Sequence, residues 1–179
     1  MNIFEWIKNK LSSKKDTNST GQVSMPSVYW YCEDDAFPPV KAHPTDSGYD
    51  LFSKEETAIP PRGWAKVRTG VYAKIENDSE LFNVELQIRP KSGLASNKGI
   101  TVLNTPGTVD QGYTGEICVL VMNHGVYPYI VEKHTKIAQA VFSIVPIVVE
   151  YNVSKEQFDE LSKTVDRGAN GFGSTGLKK

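Results

Sequence analysis

The sequence predicts an all-β domain, a jelly-roll-like barrel or sandwich, with a short N-terminal helical extension. Short runs rich in Val, Ile, Tyr and Phe recur from Ser27 onward. Turn formers separate them, as in Pro60-Pro61-Arg62-Gly63, Glu76-Asn77-Asp78-Ser79 and Asn123-His124-Gly125. The pattern also lacks the long helical crossovers that a parallel α/β sheet requires.

Residues 1–24 read as an amphipathic helix and a flexible linker. Ile3, Phe4, Ile7 and Leu11 draw one apolar stripe at helical spacing, with Trp6 off the stripe. Lys8, Lys10, Lys14 and Lys15 face only Glu5 and Asp16. A basic amphipathic helix suits a membrane surface or a protein partner. A helix this short is marginal alone in water, so a frayed extension is the plainer reading. Ser12 to Ser24 is polar and glycine-containing, as linkers are.

The β domain is expected over residues 25–165. Its strands are expected at Val28 to Cys32, Ala65 to Lys74, Phe82 to Ile88 and Ile100 to Leu103. Others follow at Glu116 to Met122, Lys136 to Val145 and Ile147 to Asn152. Two interior segments look helical: a single turn around Gly93 to Asn97, and Lys155 to Leu161. For the second, Ser154 is the expected N-cap and Gln157 completes a capping box. Residues 166–179 are Gly-rich and polar, and on composition alone read as disordered.

Size and charge narrow the function classes. A chain of 179 residues fits one domain with a short appendage and can bury a core without disulfides or a structural metal. Lys plus Arg is 20 and Asp plus Glu is 21, a balance that argues against a nucleic-acid binder relying on a basic face. No apolar run approaches the ~18 residues of a spanning helix, and the first residues lack a secretory signal pattern. Cys32 and Cys118 stand far apart without a CxxC motif, which suits a reducing compartment and excludes a cysteine-rich zinc module. A soluble cytoplasmic protein is expected.

The chemistry is carried by carboxylates and glycine-rich loops. There is neither a G-x-S-x-G elbow nor a P-loop. His43, His124 and His134 lie in turn-like segments without metal-ligand spacing. Asp50 follows Ser47-Gly48-Tyr49, where the glycine allows a tight turn that aims a carboxylate into a cleft. Arg89-Pro90-Lys91-Ser92-Gly93 ends an apolar strand with cations, a hydroxyl and backbone N–H groups, the makings of an anion nest. Gly107-Thr108-Val109-Asp110-Gln111-Gly112-Tyr113 reads as strand, tight turn and returning strand, projecting an acid beside a flat ring. Arg167-Gly168-Ala169-Asn170-Gly171-Phe172-Gly173-Ser174-Thr175-Gly176 combines cation, ring and hydroxyls on a mobile backbone, as a lid over a base and its phosphates would. Singly, each has a plainer reading: a turn residue, a half-buried strand aromatic, a disordered terminus. Their order and combination carry the argument.

That combination resembles the trimeric deoxyuridine triphosphatases (dUTPases), from about Ser27 to the tail. Five ordered motifs match: Ser47-Gly48-Tyr49-Asp50-Leu51, Arg89-Pro90-Lys91-Ser92-Gly93-Leu94-Ala95, Asn104 through Gly115, Lys136-Ile137-Ala138-Gln139, and Arg167 through Gly176. The resemblance implies hydrolysis of dUTP to dUMP and pyrophosphate, with water attacking the α-phosphorus. Such a reaction limits uracil incorporation into DNA and supplies dUMP for dTMP synthesis.

Roles follow from the resemblance residue by residue. Asp110 matches the carboxylate that orients and deprotonates the water, where positioning should contribute more than basicity. Tyr113 matches the ring under the deoxyribose that leaves no space for a 2′-hydroxyl. Asn104 and the backbone of Gly107, Thr108 and Val109 would read the uracil edge. Rigid main-chain groups suit that task because they cannot rotate to accept cytosine's reversed pattern. Cys118 matches a position whose backbone meets uracil. Lys91, Ser92 and Gly93 would grip the phosphate chain, with Gln139 making a phosphate-side and water contact. A Mg²⁺ ion on the triphosphate is implied, with Asp50 reaching it through water. In the tail, Phe172 with Gly173 would cover the uracil while Arg167, Ser174 and Thr175 bind terminal phosphates. A homotrimer with shared active sites is implied.

One position departs from the family pattern. Lys91 stands where an arginine is usual, keeping the charge but losing the planar two-pronged donor, with Arg89 a nearby substitute. Two rivals share the fold. A dCTP deaminase needs a catalytic glutamate where Leu120 stands, and lacks this tail. A non-catalytic dUTP-sensing or protein-binding relative has no need of Asp110.

Overall fold

In the computed structural model, which describes residues 25–163, every second side chain along Phe82–Pro90 is buried: Val84, Leu86 and Ile88. The same alternation buries Val71, Ala73 and Ile75 along Val71–Glu76. Side chains of a strand point alternately to two faces, so this spacing gives each strand one apolar face to lay against a core. The strands in chain order are β1 (Ser27–Cys32), β2 (Gly48–Phe52), β3 (Thr57–Ile59), β4 (Trp64–Val67), β5 (Val71–Glu76) and β6 (Phe82–Pro90). After a seven-residue helix α1 (Ser92–Lys98) come β7 (Ile100–Val102), β8 (Gly107–Val109), β9 (Val119–Asn123), β10 (Tyr129–Val131) and β11 (Lys136–Pro146). Helix α2 (Lys155–Ser162) follows.

A four-stranded antiparallel sheet, in the order β2-β11-β6-β8, is the platform that carries the site. A three-stranded sheet β4-β9-β7 and two pairs, β1-β5 and β10-β3, complete the β domain. Leu51, Leu86, Ile88 and Ala140 from the large sheet share one apolar core with Val67, Ile100, Val119 and Val121 from the three-stranded sheet. The all-β jelly-roll-like expectation is borne out.

Several boundaries differ from those expected, each for a local reason. Ala65 to Lys74 is two strands rather than one, because the chain turns at Gly70, whose φ of 66° is left-handed. The limb after Asp110 does not return along β8. It turns at Asp110, where the Tyr113 N–H donates to the Asp110 carbonyl at 2.9 Å, and crosses to the other sheet to become β9. Gly48 is not in a tight turn but opens β2. Ile147 to Asn152 forms no strand: its apolar residues are consecutive rather than alternating, and Ile147, Val148, Val149 and Tyr151 are exposed.

The described residues from Val148 onward form a separate unit. Within it, the Ser154 hydroxyl accepts from the Gln157 N–H while the Gln157 side chain accepts from the Ser154 N–H, the expected capping box. The expected N-terminal helix of residues 1–24 lies outside the described residues, as do Arg167, Phe172, Gly173, Ser174 and Thr175.

Candidate active site

Register on the large sheet brings motif residues distant in sequence into one row. Asp50 of β2 pairs with Gln139 of β11, and Gln139 pairs with Arg89 of β6. Directly paired residues share a face, so all three side chains project from the side opposite the core. The next row on that face runs Gly48, Val141, Gln87, Thr108. The phosphate-side motifs and the β8 limb thus occupy one surface.

Asp50 is 5% exposed and its two oxygens are taken by different cations: Oδ1 by Lys91, Oδ2 by Lys136 at 2.8 Å. Burial pushes its pKa up, but hydrogen bonds and charge from Lys136 and Lys91 outweigh this and hold it below the usual carboxylate range. Two ammonium groups gathered on one carboxylate leave a net positive patch. Ser92 and Gly93 begin α1 immediately after Lys91, and both are exposed. Gln139 donates from Nε2 to the Pro90 carbonyl at 3.0 Å, tying β11 to the end of β6. A Cβ on Gly48 would stand 2.6 Å from Gln139 Oε1, so the glycine leaves room for that side chain.

Lys136 opens the fourth motif, in which the resemblance gives a role to Gln139 alone. A β-bulge between Lys136 and Ala138 buries Ile137 and Ala138 consecutively, which turns Lys136 onto the face of Asp50 and Gln139. Strict alternation would have sent it the other way. The adjacent apolar pair Ile137-Ala138 was the available signal. Arg89, on the same face, has its Nε and Nη2 engaged with Gln87 Oε1 at 3.1 and 2.6 Å.

The second group lies around β8. Gly107 pairs with Ile88, and a Cβ there would stand 3.3 Å from the Asn104 amide nitrogen, so the glycine makes room for Asn104. The peptide between Thr105 and Pro106 is cis. Thr108 is exposed and Val109 is buried, which leaves Asp110 exposed at the strand's end. The Tyr113 ring is 46% exposed, and its hydroxyl donates to the Glu116 carbonyl at 3.0 Å. Gly115 lies beneath that phenol: a Cβ there would be 2.5 Å from the Tyr113 oxygen. Burial pushes the Cys118 thiol up, which disfavours the thiolate. A cleft of about 360 Å³ is lined by Asp110, Gln111 and Gly112 together with Glu85 and Val145. A larger, mainly apolar cavity of about 420 Å³ lies beside Val28, Ile75 and Phe142, and of the motif residues only Tyr49 lines it.

The Asp110 end of β8 and Asp50 stand far apart on one chain. Val109 sits three residues along the sheet from the Asp50 row and three strands across it. At ~3.4 Å per residue and ~4.8 Å per strand, that is roughly 18 Å. Among the described residues no cluster of three or more His, Cys, Asp or Glu side chains could cage a metal ion.

A sequence-family profile described as dUTPase matches residues 35–176. The chain is 51% identical over 140 residues to the deoxyuridine 5′-triphosphate nucleotidohydrolase of Alkaliphilus metalliredigens, covering 78% of this chain and 90% of that protein. It is 46% identical over 144 residues to the enzyme of the same name from Clostridioides difficile, covering 80% and 93%. Among solved structures it is similar to the Staphylococcus bacteriophage 80alpha dUTPase with dUpNHpp, at a TM-score of 0.70 and 25% identity over 84% of this chain and 99% of that one. A variant dUTPase of phage phi11 of S. aureus, described with a structural Mg(II) ion, has the same fold at a TM-score of 0.61 and 24% identity, covering 76% and 99%. With its motif residues laid out on the sheet as described and these likenesses spanning most of its length, the chain belongs to the dUTPase family.

Proposed function

We propose that this protein hydrolyses dUTP to dUMP and pyrophosphate, with Asp110 orienting and deprotonating the water that attacks the α-phosphorus. The observation that carries the reading is the gathering of Lys91, Lys136 and Gln139 around Asp50, on the sheet face from which Thr108 also projects. A cationic, hydroxyl-flanked patch suits a triphosphate, and an exposed carboxylate at a strand end suits a general base. Lys91, Ser92, Gly93 and Gln139 hold the phosphate chain. Asn104 and the backbone of Gly107, Thr108, Val109 and Cys118 read the uracil. Tyr113 packs under the deoxyribose, where a 2′-hydroxyl has no room. Arg167, Phe172, Gly173, Ser174 and Thr175 close over the bound nucleotide.

The donor set fits Mg²⁺ brought in on the triphosphate rather than caged by protein, since both Asp50 oxygens already face lysines. When bound, the ion would neutralise charge on the phosphate oxygens, with Asp50 within reach through water. The separation of Asp110 from the Asp50 group supports a homotrimer whose sites draw on neighbouring copies. No helix among the described residues is long and apolar enough to cross a membrane. Work on the deoxynucleotide pool supports a cytoplasmic setting.

The test is purified protein with Mg²⁺ against dUTP and dCTP, following pyrophosphate, ammonia and nucleotide products. Pyrophosphate and dUMP from dUTP, with dCTP untouched, is the expected result. Ammonia from dCTP would overturn it in favour of deamination, and a folded trimer inert to both would favour a binding module.

A further inference from the structure

The β6–β8 ladder runs through the pairs Ile88 with Gly107, Gln87 with Thr108 and Leu86 with Val109, and stops there. Had it continued, antiparallel register would set Val84 opposite Gln111. Ladder bonds fall on alternate pairs, so the Val84 N–H would seek the Gln111 main-chain carbonyl. It finds Gln111 all the same. The chain turns away at Asp110, and the Gln111 side-chain Oε1 accepts from the Val84 N–H at 2.9 Å. The carboxamide thus replaces the residue's own main-chain carbonyl.

Asp110 lies between the last regular pair, Leu86 with Val109, and this side-chain bond. On its far side the Tyr113 N–H closes the turn onto the Asp110 carbonyl at 2.9 Å. Val84 is 4% exposed, so its N–H is poorly placed to exchange this partner for water. Asp110 itself is exposed and borders an open cleft of about 360 Å³. The bond at Gln111 therefore fixes a peptide that would otherwise be free to shift.

We propose that Gln111 is a positioning residue for Asp110: its carboxamide, bonded to the Val84 N–H, fixes the peptide that aims the carboxylate at the attacking water. The inference rests on the reading of Asp110 as the general base. An ångström of misplacement in such a group can cost up to about 100-fold in rate.

The test compares Gln111→Met, which keeps the length and loses the acceptor, with Gln111→Glu, which keeps an acceptor oxygen. Gln111→Asn, one methylene short of Val84, provides a second loss variant. Each full-length protein is assayed on dUTP with Mg²⁺ for kcat and KM, and its Tm is measured. The expected result is a kcat about 10–100-fold lower for Met and Asn, with KM and dUpNHpp affinity within about threefold. Gln111→Glu should stay within about threefold of the parent in kcat. Parent-like kcat in Met and Asn, or equal losses in Met and Glu, would overturn the proposal. Asp110→Asn is run alongside. If it is inactive while Gln111→Met keeps parent kcat, only the Gln111 proposal fails. If Asp110→Asn itself turns over at the parent rate, the reading of Asp110 fails and takes the proposal with it.

Discussion

Lys136 and Asp50 meet across a β-bulge, with the lysine Nζ 2.8 Å from Oδ2 of a carboxylate that is almost wholly buried. The other oxygen holds Lys91, so one aspartate aligns two cations, one from the start of β11 and one from the junction of β6 and α1. Lys136 is half exposed, which frees it to face a phosphate as well. Replacing it by methionine removes one charge-assisted contact, about 1.5 kcal/mol or roughly tenfold in binding. Lys136→Met is expected to raise KM for dUTP about tenfold while kcat changes less. Steady-state kinetics on dUTP checks this, and an unchanged KM would remove Lys136 from the phosphate site.

Gly115 sets the pose of Tyr113. A methyl at position 115 would stand 2.5 Å from the phenol oxygen, so Gly115→Ala must push the ring off its bond to the Glu116 carbonyl. If that ring excludes a 2′-hydroxyl, the variant loses selectivity before it loses its fold. The ratio of kcat/KM for dUTP over UTP should fall about tenfold or more, while Tm stays near the parent value. Rates on the two nucleotides give the answer directly.

Acid should weaken one identifiable knot of the fold. Glu33 accepts hydrogen bonds from Lys54, Tyr72 and Arg68, and Arg68 also pairs with Glu116, tying the end of β1 to the limb that leads into β9. The hydrogen bond from Lys54, then that from Tyr72, holds the Glu33 carboxyl down from 4.5 to about 2. A depressed carboxylate stabilises the folded state fully above the unfolded value and loses that contribution as pH falls through the folded one. The parent should therefore lose stability between about pH 4.5 and about pH 2, and Glu33→Gln should show a shallower loss over that window. Denaturant unfolding of both proteins across the window measures the difference, and equal slopes would remove Glu33 from the account.

Where packing follows alternation, the fold was legible in the sequence. The spacing of Val84, Leu86 and Ile88 gave β6, and Ser154 with Gln157 gave the start of α2. Elements failed to follow where a single backbone angle decides, as at Gly70 between β4 and β5. They failed again where apolar residues run consecutively without a partner strand, as after Pro146. The motif residues of the site were legible as types in order. Their supports were not. Lys136 reaches Asp50 only because a bulge reverses its direction, and Gln111 matters only because a ladder ends two pairs short of it. Both depend on register, which one strand read alone does not contain.

Val109, just before Asp110, lies roughly 18 Å from Asp50 on one chain by strand spacing. On the proposed function, Asp110 and the group around Asp50 act on the same dUTP because neighbouring copies bring them together. Mixing two defective chains tests it most directly. Asp110→Asn and Ser92→Ala, each expected to be nearly inactive alone, are unfolded together, refolded and assayed for pyrophosphate release from dUTP. Restored activity well above the sum of the separately refolded variants is predicted, since one chain then supplies Asp110 and another Ser92. Activity no greater than that sum, from properly assembled oligomers, would contradict the account.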